Sequence, residues 1–184
     1  MDPDAVIQTT RRWIETFVIG LNLCPFAERV FQAGRIRYAV STAENEAALL
    51  ADLAAELAAL EASRDIETTL LIHPRALRDF FEYNDFLDDV DHLVEDMGLD
   101  EVIQIASFHP DYLFADTLPE APENYTNRSP YPMLHLLRQD SITAVAEQDE
   151  AALQAIPERN IATLQALGLA KVREMLQEVL SPRG

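Results

Sequence analysis

Two strand-like runs that each end in a His-Pro pair constrain the fold of this chain most strongly. The first covers residues 67–72 and precedes His73, and the second covers residues 102–108 and precedes His109. Proline lacks the N–H that strand pairing requires, so the proline after each histidine ends its strand. The apolar first run is typical of a strand that is buried on both faces of a sheet.

Helical patterns alternate with these strands. Residues 35–41 alternate like a strand with one face in water, residues 42–63 form an Ala/Leu/Glu helix, and residues 75–97 form a very acidic helix. This alternation indicates βαβ units, whose right-handed crossovers make the three strands parallel and bring their carboxyl ends to one edge. We therefore predict an α/β fold with a small, mainly parallel sheet of three to four strands, helices on both faces and a C-terminal helical layer.

Further helices and one long loop complete the predicted arrangement. The C-terminal layer is a helical pair over 158–167 and 169–180, hinged at Gly168. The other predicted helices cover residues 3–21, 25–31, 133–138 and 141–148. The segment 109–130 has little periodicity, and long irregular connections in compact domains are usually functional or disordered. Its aromatic residues argue against disorder.

The composition limits the class of protein and of partner. The 184 residues fit a single domain over 1–184. The N-terminus is acidic where a signal peptide would be basic, and the lone cysteine allows no internal disulfide, so we expect a cytoplasmic protein. The net charge of −18 equals the excess of 21 acids over three arginines between residues 41 and 124. Such an acidic protein repels nucleic acid phosphates and anionic membranes, so we expect neither as a partner.

Cys24 is the one soft nucleophile of the chain. A cysteine that caps a helix starting at Pro25 faces unpaired N–H groups and the positive end of the helix dipole, which lower the pKa of a thiol. Arg11 and Arg12 would add to this effect. The alternative is a buried thiol that packs as a small hydrophobic group.

His109 and Asp111 form a second candidate pair. A carboxylate two residues after a histidine can orient it as a general base, or the two side chains can share a metal ion. A metal site would need further ligands such as His73 or His135, so the sequence assigns no metal and no other cofactor. The alternative is that each His-Pro pair only marks the end of a strand.

The stretch over 124–138 is the richest in groups that bind anions. Arg128 and Arg138 carry forked guanidinium groups that hold a carboxylate or phosphate at two points. His135 and Arg138 are three residues apart and would share one face of the predicted helix. The alternative is that both arginines form structural salt bridges to the acidic helices. The predicted substrate-binding residues are Asn22, Tyr125, Asn127, Arg128, His135 and Arg138.

Four stretches of the chain together resemble a known family. They are GLNLCPFA at 20–27, SFHPDY at 107–112, NRSPYPMLHLLR at 127–138 and IPERNI at 156–161. The chain resembles, from end to end, the bacterial family catalogued as domain of unknown function 1415. The resemblance implies a small cytoplasmic protein and assigns no activity, cofactor or catalytic residue.

Three function classes remain open on the sequence. The first is a hydrolase or acyl-transfer enzyme for a small anionic substrate, with Cys24 as nucleophile, His109 as base and Asp111 as its orienting partner. The second is a non-catalytic module that binds a small anionic metabolite through the same Arg and Asn groups. The third is a protein-interaction domain whose apolar stripe from Ile161 to Val179 is an interface. A homo-oligomer is also compatible with the sequence.

Overall fold

A four-stranded sheet with helices on both faces forms the centre of the computed structural model, which describes residues 1–146 and 154–181. A π-helical segment, Ile14–Ile19, continues the first helix, and a 3-10 helix covers Pro122–Thr126. The strands are β1 (Ile36–Val40), β2 (Thr68–Ile72), β3 (Ile103–Phe108) and β4 (Met133–Arg138). The helices are α1 (Pro3–Trp13), α2 (Ala27–Gln32), α3 (Glu46–Ala62), α4 (Phe80–Asp96), α5 (Gln139–Ala146), α6 (Ile156–Leu167) and α7 (Leu169–Leu180).

The sheet is mixed, with the strand order β1-β2-β4-β3. β1 and β2 are parallel, whereas β4 is antiparallel to both of its neighbours, β2 and β3. The α/β class and the helices on both faces are confirmed, but the prediction of a mainly parallel sheet is wrong. β1, β2 and β3 do run in the same direction, and β4 separates β2 from β3.

The predicted helix over 133–138 is β4. Its sequence, MLHLLR, consists mostly of strong helix formers and contains no β-branched residue, so local propensity favours a helix. Pairing along both edges overrides that propensity, as is common for a central strand. In a strand, residues three apart point to opposite faces, so His135 and Arg138 do not share a face.

Other element boundaries follow the sequence signals closely. α3 begins at Glu46 because the Asn45 side chain accepts a hydrogen bond from the N–H of Ala48 at 3.0 Å and caps the helix. α6 and α7 meet at Gly168, whose φ of 77° favours glycine. The predicted helix over 141–148 is observed as α5 up to Ala146, and its last two residues lie outside the described ranges.

Each face of the sheet carries its own hydrophobic core. On one face, leucines of α3 and aromatic residues of α4 pack against Leu71, Leu134 and Leu136. On the other face, α1, the π-helical segment, α6 and α7 pack against Leu70, Ile72 and Met133. Within the described ranges, no helix is both long and apolar enough to cross a membrane.

The Arg138 guanidinium links β4 to the end of α3. It is buried and donates hydrogen bonds to three backbone carbonyls, those of Leu60, Ser63 and Ile66. The last carbonyls of a helix lack partners within the helix, and a cation there also opposes the negative end of the helix dipole. Arg138 is therefore a helix-capping residue of the fold. The structural salt bridge to an acidic helix, which was the alternative to anion binding, is replaced by hydrogen bonds to carbonyl groups.

Replacing Arg138 with methionine should lower the free energy of unfolding by about 2–3 kcal/mol, because buried carbonyls lose a charged donor. Denaturant unfolding measures this change. The matched control is Arg75→Met, since Arg75 forms an exposed ion pair with Glu44 at 3.0 Å. An exposed pair of this kind contributes about 0–1 kcal/mol, and equal losses in the two variants would contradict the capping role.

Candidate functional site

A cavity of about 290 Å³ lies between the sheet and the helices that cover its second face. We call this face of the sheet the cavity face. Its side chains at the cavity are Ile36, Thr68, Leu70, Ala106, Phe108, His135 and Leu137. The opposite wall consists of Trp13, Ile14, Val18, Cys24, Phe26, Ala27, Arg29 and Val30, and one end is bounded by Glu67, Arg138, Ser141 and Ile142. Most of these side chains are apolar, so the cavity is an apolar space with few polar groups.

Two local features leave this space open. Ala106 of β3 is the register partner of His135 of β4, and its methyl group fills little of the space above the sheet. α2 has only six residues, none of which is fully buried, so this short helix covers the cavity without filling it. The π-helical segment supplies Ile14 and Val18 to the same wall.

The polar group on the cavity face of the sheet is a Thr68-His135 pair. The Thr68 hydroxyl lies 2.7 Å from Nε2 of His135 and 2.6 Å from the carbonyl oxygen of Leu136. The hydroxyl has one proton, and a carbonyl can only accept, so Thr68 donates to Leu136 and accepts from the Nε2–H of His135. The unprotonated nitrogen of neutral His135 is then Nδ1. Burial lowers the pKa of His135 to about 4, so the ring is neutral at pH 7.

Cys24 lies in the opposite wall, in a loop that α6 holds in place. Arg159 donates to the carbonyl of Asn22 at 2.9 Å, and Asn160 donates to the carbonyl of Leu23 at 2.8 Å. Thus the motifs at 20–27 and 156–161 pack against each other. α2 begins at Ala27, so Cys24 does not cap it as predicted.

The environment of Cys24 does not activate its thiol. Burial raises the pKa of Cys24, and this effect exceeds the lowering by the N–H groups of Phe26 and Ala27 and by the positive charge of Arg159. The expected depressed pKa is therefore wrong. Arg11, which was expected to assist, lies over the rings of Phe31 and Tyr38 instead.

The charged groups at one end of the cavity are already paired. Glu67 forms an ion pair with Arg35 at 3.1 Å and accepts a hydrogen bond from Ser141. Arg138 donates to one carbonyl in the last turn of α3 and to another just after that helix. Arg29 is exposed, so its guanidinium is hydrated at the rim. Arg138 is the buried cation among the cavity residues, and its Nε–H and Nη2–H groups are directed to backbone carbonyls and not into the cavity.

His109 and Asp111 lie apart from the cavity. The backbone N–H of Asp111 donates to Nδ1 of His109 at 3.0 Å, and Nε2 of His109 lies 3.2 Å from the carbonyl of Leu77. Nδ1 therefore accepts and Nε2–H donates, so backbone groups occupy both ring nitrogens. Burial lowers the pKa of His109, and the nearby carboxylates of Asp111 and Asp79 only partly oppose this. The expected role for the Asp111 carboxylate, orienting the ring, is filled by its backbone N–H.

His73 and His109 do lie at the same edge of the sheet, as the strand directions predict. Their rings lie on Tyr83, with centroid distances of 5.7 Å and 5.2 Å. The Tyr83 hydroxyl donates to the carbonyl of Met133 at 2.9 Å and accepts from the N–H of Phe108 at 3.1 Å, which joins the ends of β3 and β4. These buried rings fill the edge where a ligand cleft was expected. No group of three or more metal-ligating side chains is found in residues 1–146 and 154–181.

The loop residues predicted to bind substrate hold the loop itself together. Arg128 donates to the carbonyls of Tyr112 and Pro119 at 3.1 and 2.9 Å, and its guanidinium lies over the Tyr125 ring at 4.6 Å. Asn127 donates from its side chain to the carbonyl of Ser107 at 3.0 Å. Asn22 has a φ of 52° and serves as a turn residue. Of the predicted site residues, the structure brings only Cys24, His135 and Arg138 to the cavity.

The sequence interpretation missed several residues that form the cavity, including Trp13, Thr68 and Ala106. Trp13 lies within the predicted helix over 3–21, and only the fold shows that it borders a space. The one available signal was Ala106, a small residue between the larger Gln104 and Phe108 on the same face of its strand. Its role depends on the residue opposite, which the sequence does not reveal.

A comparison with models of protein families matches residues 5–174 to one family, described as a protein of unknown function, DUF1415. No curated protein and no solved structure matches the chain.

The raised pKa of Cys24 predicts slow alkylation at neutral pH, because the thiolate is the reactive form. In the folded protein, iodoacetamide should react with Cys24 more slowly at pH 7 than in the urea-unfolded chain. The rate should continue to rise above pH 8.5, about the pKa of a free thiol. Mass spectrometry of the single modified cysteine measures both rates, with Cys24→Ser as the blank. A folded protein that reacts faster than the unfolded chain would contradict the raised pKa of Cys24.

Proposed function

Because the chain belongs to the DUF1415 family, whose description names no activity, we propose from the cavity alone that the protein binds a small, largely apolar molecule there. The observation that carries this proposal is a partly open space of about 290 Å³ whose walls are almost entirely apolar. Small-molecule sites are concave and mostly apolar, with a small number of polar groups, and this space has those features.

The size and lining of the cavity define the class of ligand. An engineered cavity of about 150 Å³ with apolar walls stays dry and binds benzene. The cavity in this protein is larger and is bordered by apolar groups such as Ile14, Leu70 and Phe108. It therefore suits a ligand about the size of a bicyclic aromatic molecule, which gains free energy by removing its apolar surface from water.

The hydrolase hypothesis receives less support from the geometry. Cys24 borders the cavity, His109 lies among aromatic rings at the sheet edge, and Asp111 is exposed. Cys24 and His135 do border one cavity, but the environment favours the neutral form of both side chains. Binding without a cysteine-dependent reaction is therefore the function that the site supports best.

Two other hypotheses also lose their main supports. The guanidinium groups of Arg128 and Arg138, proposed to hold an anionic metabolite, donate to backbone carbonyls. The C-terminal apolar stripe, proposed as an interaction surface, has Leu164, Val172 and Val179 buried in the core.

Filling the cavity should abolish binding without harming the fold. Trp13 is the only tryptophan and borders the cavity, so its fluorescence should change when 2-methylnaphthalene binds. Ala106→Leu should weaken this binding by about tenfold or more and raise the free energy of unfolding by about 1 kcal/mol, as cavity-filling substitutions do. Ala106→Val should weaken binding and raise the free energy of unfolding by smaller amounts.

The matched control is Ala58→Leu, on the exposed face of α3, which should leave binding unchanged. A wild-type protein whose Trp13 emission does not respond up to the solubility limit of 2-methylnaphthalene would contradict the proposal. Equal affinity in wild type and in a folded Ala106→Leu variant would also contradict it.

A further inference from the structure

The cavity is lined mostly by apolar groups, and Nδ1 of His135 is a hydrogen-bond acceptor in its wall. An inference about the ligand that uses this atom rests on the proposed binding function. Nε2 of His135 is occupied by Thr68, at 2.7 Å. Nδ1 has no hydrogen-bond partner among the residues that the structure describes. It is not fully enclosed by protein atoms either. The half-buried ring borders the cavity, and Nδ1 is its unpaired nitrogen.

The protonation state of His135 makes Nδ1 an acceptor rather than a donor. The hydroxyl of Thr68 donates to the carbonyl of Leu136, at 2.6 Å, and this leaves its oxygen to accept the Nε2–H. A neutral ring with its proton on Nε2 has a lone pair on Nδ1. Thr68 thus fixes both the tautomer and the orientation of the acceptor, as partners of the second ring nitrogen do in other histidine sites.

A second polar group of the cavity wall also lacks a partner. Trp13 is 2% exposed and borders the cavity, and its indole N–H donates to no residue in the described ranges. Buried polar atoms are nearly always hydrogen-bonded, so an unpaired donor beside a cavity requires an explanation. This nitrogen is enclosed by protein atoms, unlike Nδ1 of His135, so the ligand contact is assigned to His135 alone.

The charges around the cavity favour an uncharged ligand. Arg138 donates to backbone carbonyls on the α3 side of the sheet, Glu67 forms an ion pair with Arg35, and Arg29 is exposed at the rim. A carboxylate placed inside would lose its hydration while these arginines keep their other partners or remain in water. A hydrocarbon would leave Nδ1 of His135 without a hydrogen bond.

We infer that the ligand of this cavity is an uncharged molecule with an apolar body and a hydroxyl group that donates to Nδ1 of His135. Phenols and alcohols belong to this class. The hydroxyl supplies the donor that Nδ1 of His135 lacks, and the apolar body fills the remaining space.

The test compares 2-naphthol with 2-methylnaphthalene, which has a methyl group in place of the hydroxyl. Binding to the ¹⁵N-labelled protein is measured by NMR from the single indole N–H resonance of Trp13. The quantity of interest is the ratio of the two dissociation constants. In His135→Phe the preference for 2-naphthol should fall by about tenfold or more, because the hydroxyl is then buried without an acceptor.

Two further variants keep the test decisive. His135→Gln retains a side-chain acceptor and should retain part of the preference, which covers the case in which His135→Phe does not fold. His92→Phe makes the same change at an exposed histidine of α4 and should not alter the ratio. The anion 2-naphthoate should bind more weakly than either neutral compound.

The outcomes separate this inference from the proposed function. If 2-methylnaphthalene binds and the ratio is the same in wild type and in the folded His135 variants, the hydroxyl inference is wrong and the cavity still binds apolar ligands. If 2-naphthoate binds most tightly, the ligand class is anionic and the inference is also wrong. If none of the three compounds shifts the Trp13 resonance, both the inference and the proposed function fail.

Discussion

The antiparallel insertion of β4 between β2 and β3 is the constraint on which the rest of the structure depends. Pairing on both edges fixes the register of β4, and a shift by one residue would exchange its two faces. In the observed register His135 faces the cavity beside Ala106, and Arg138 faces α3 on the other side of the sheet. The same strand therefore supplies the polar group of the proposed site and the cap of a core helix.

The cavity is a partly open, mostly apolar space between the sheet and α2. Atoms that line a void lose dispersion contacts, so an empty apolar space destabilises the native state relative to a filled one. Arg159 and Asn160 hold the loop before α2 through its backbone carbonyls, and this loop carries Cys24 of the cavity wall. A concave, mostly apolar space with a few polar groups is typical of small-molecule sites.

The sequence predicts the parts of this structure that depend on local patterns. The two strand-His-Pro units, the acidic helix and the C-terminal pair have clear periodicity, and all are found. β4 was missed because its Leu-rich sequence favours a helix and its strand character comes from distant partners. The roles of Arg128, Arg138 and His109 were missed for a related reason: their partners are mostly backbone groups, which look alike at every position of a sequence. Cys24 and His135 were both selected as site residues, but their shared cavity is visible only in the fold.

The central claim, that the space beneath α2 is an apolar binding cavity, is tested most directly by diffraction from crystals held under xenon gas. Xenon occupies dry apolar cavities in proteins and does not replace ordered water in polar ones. We predict anomalous scattering from xenon next to Ala106 and Leu70, with Trp13 and Val18 on the other side. A cavity that contains hydrogen-bonded waters and no xenon, or side chains of α2 that close the space completely, would contradict the claim.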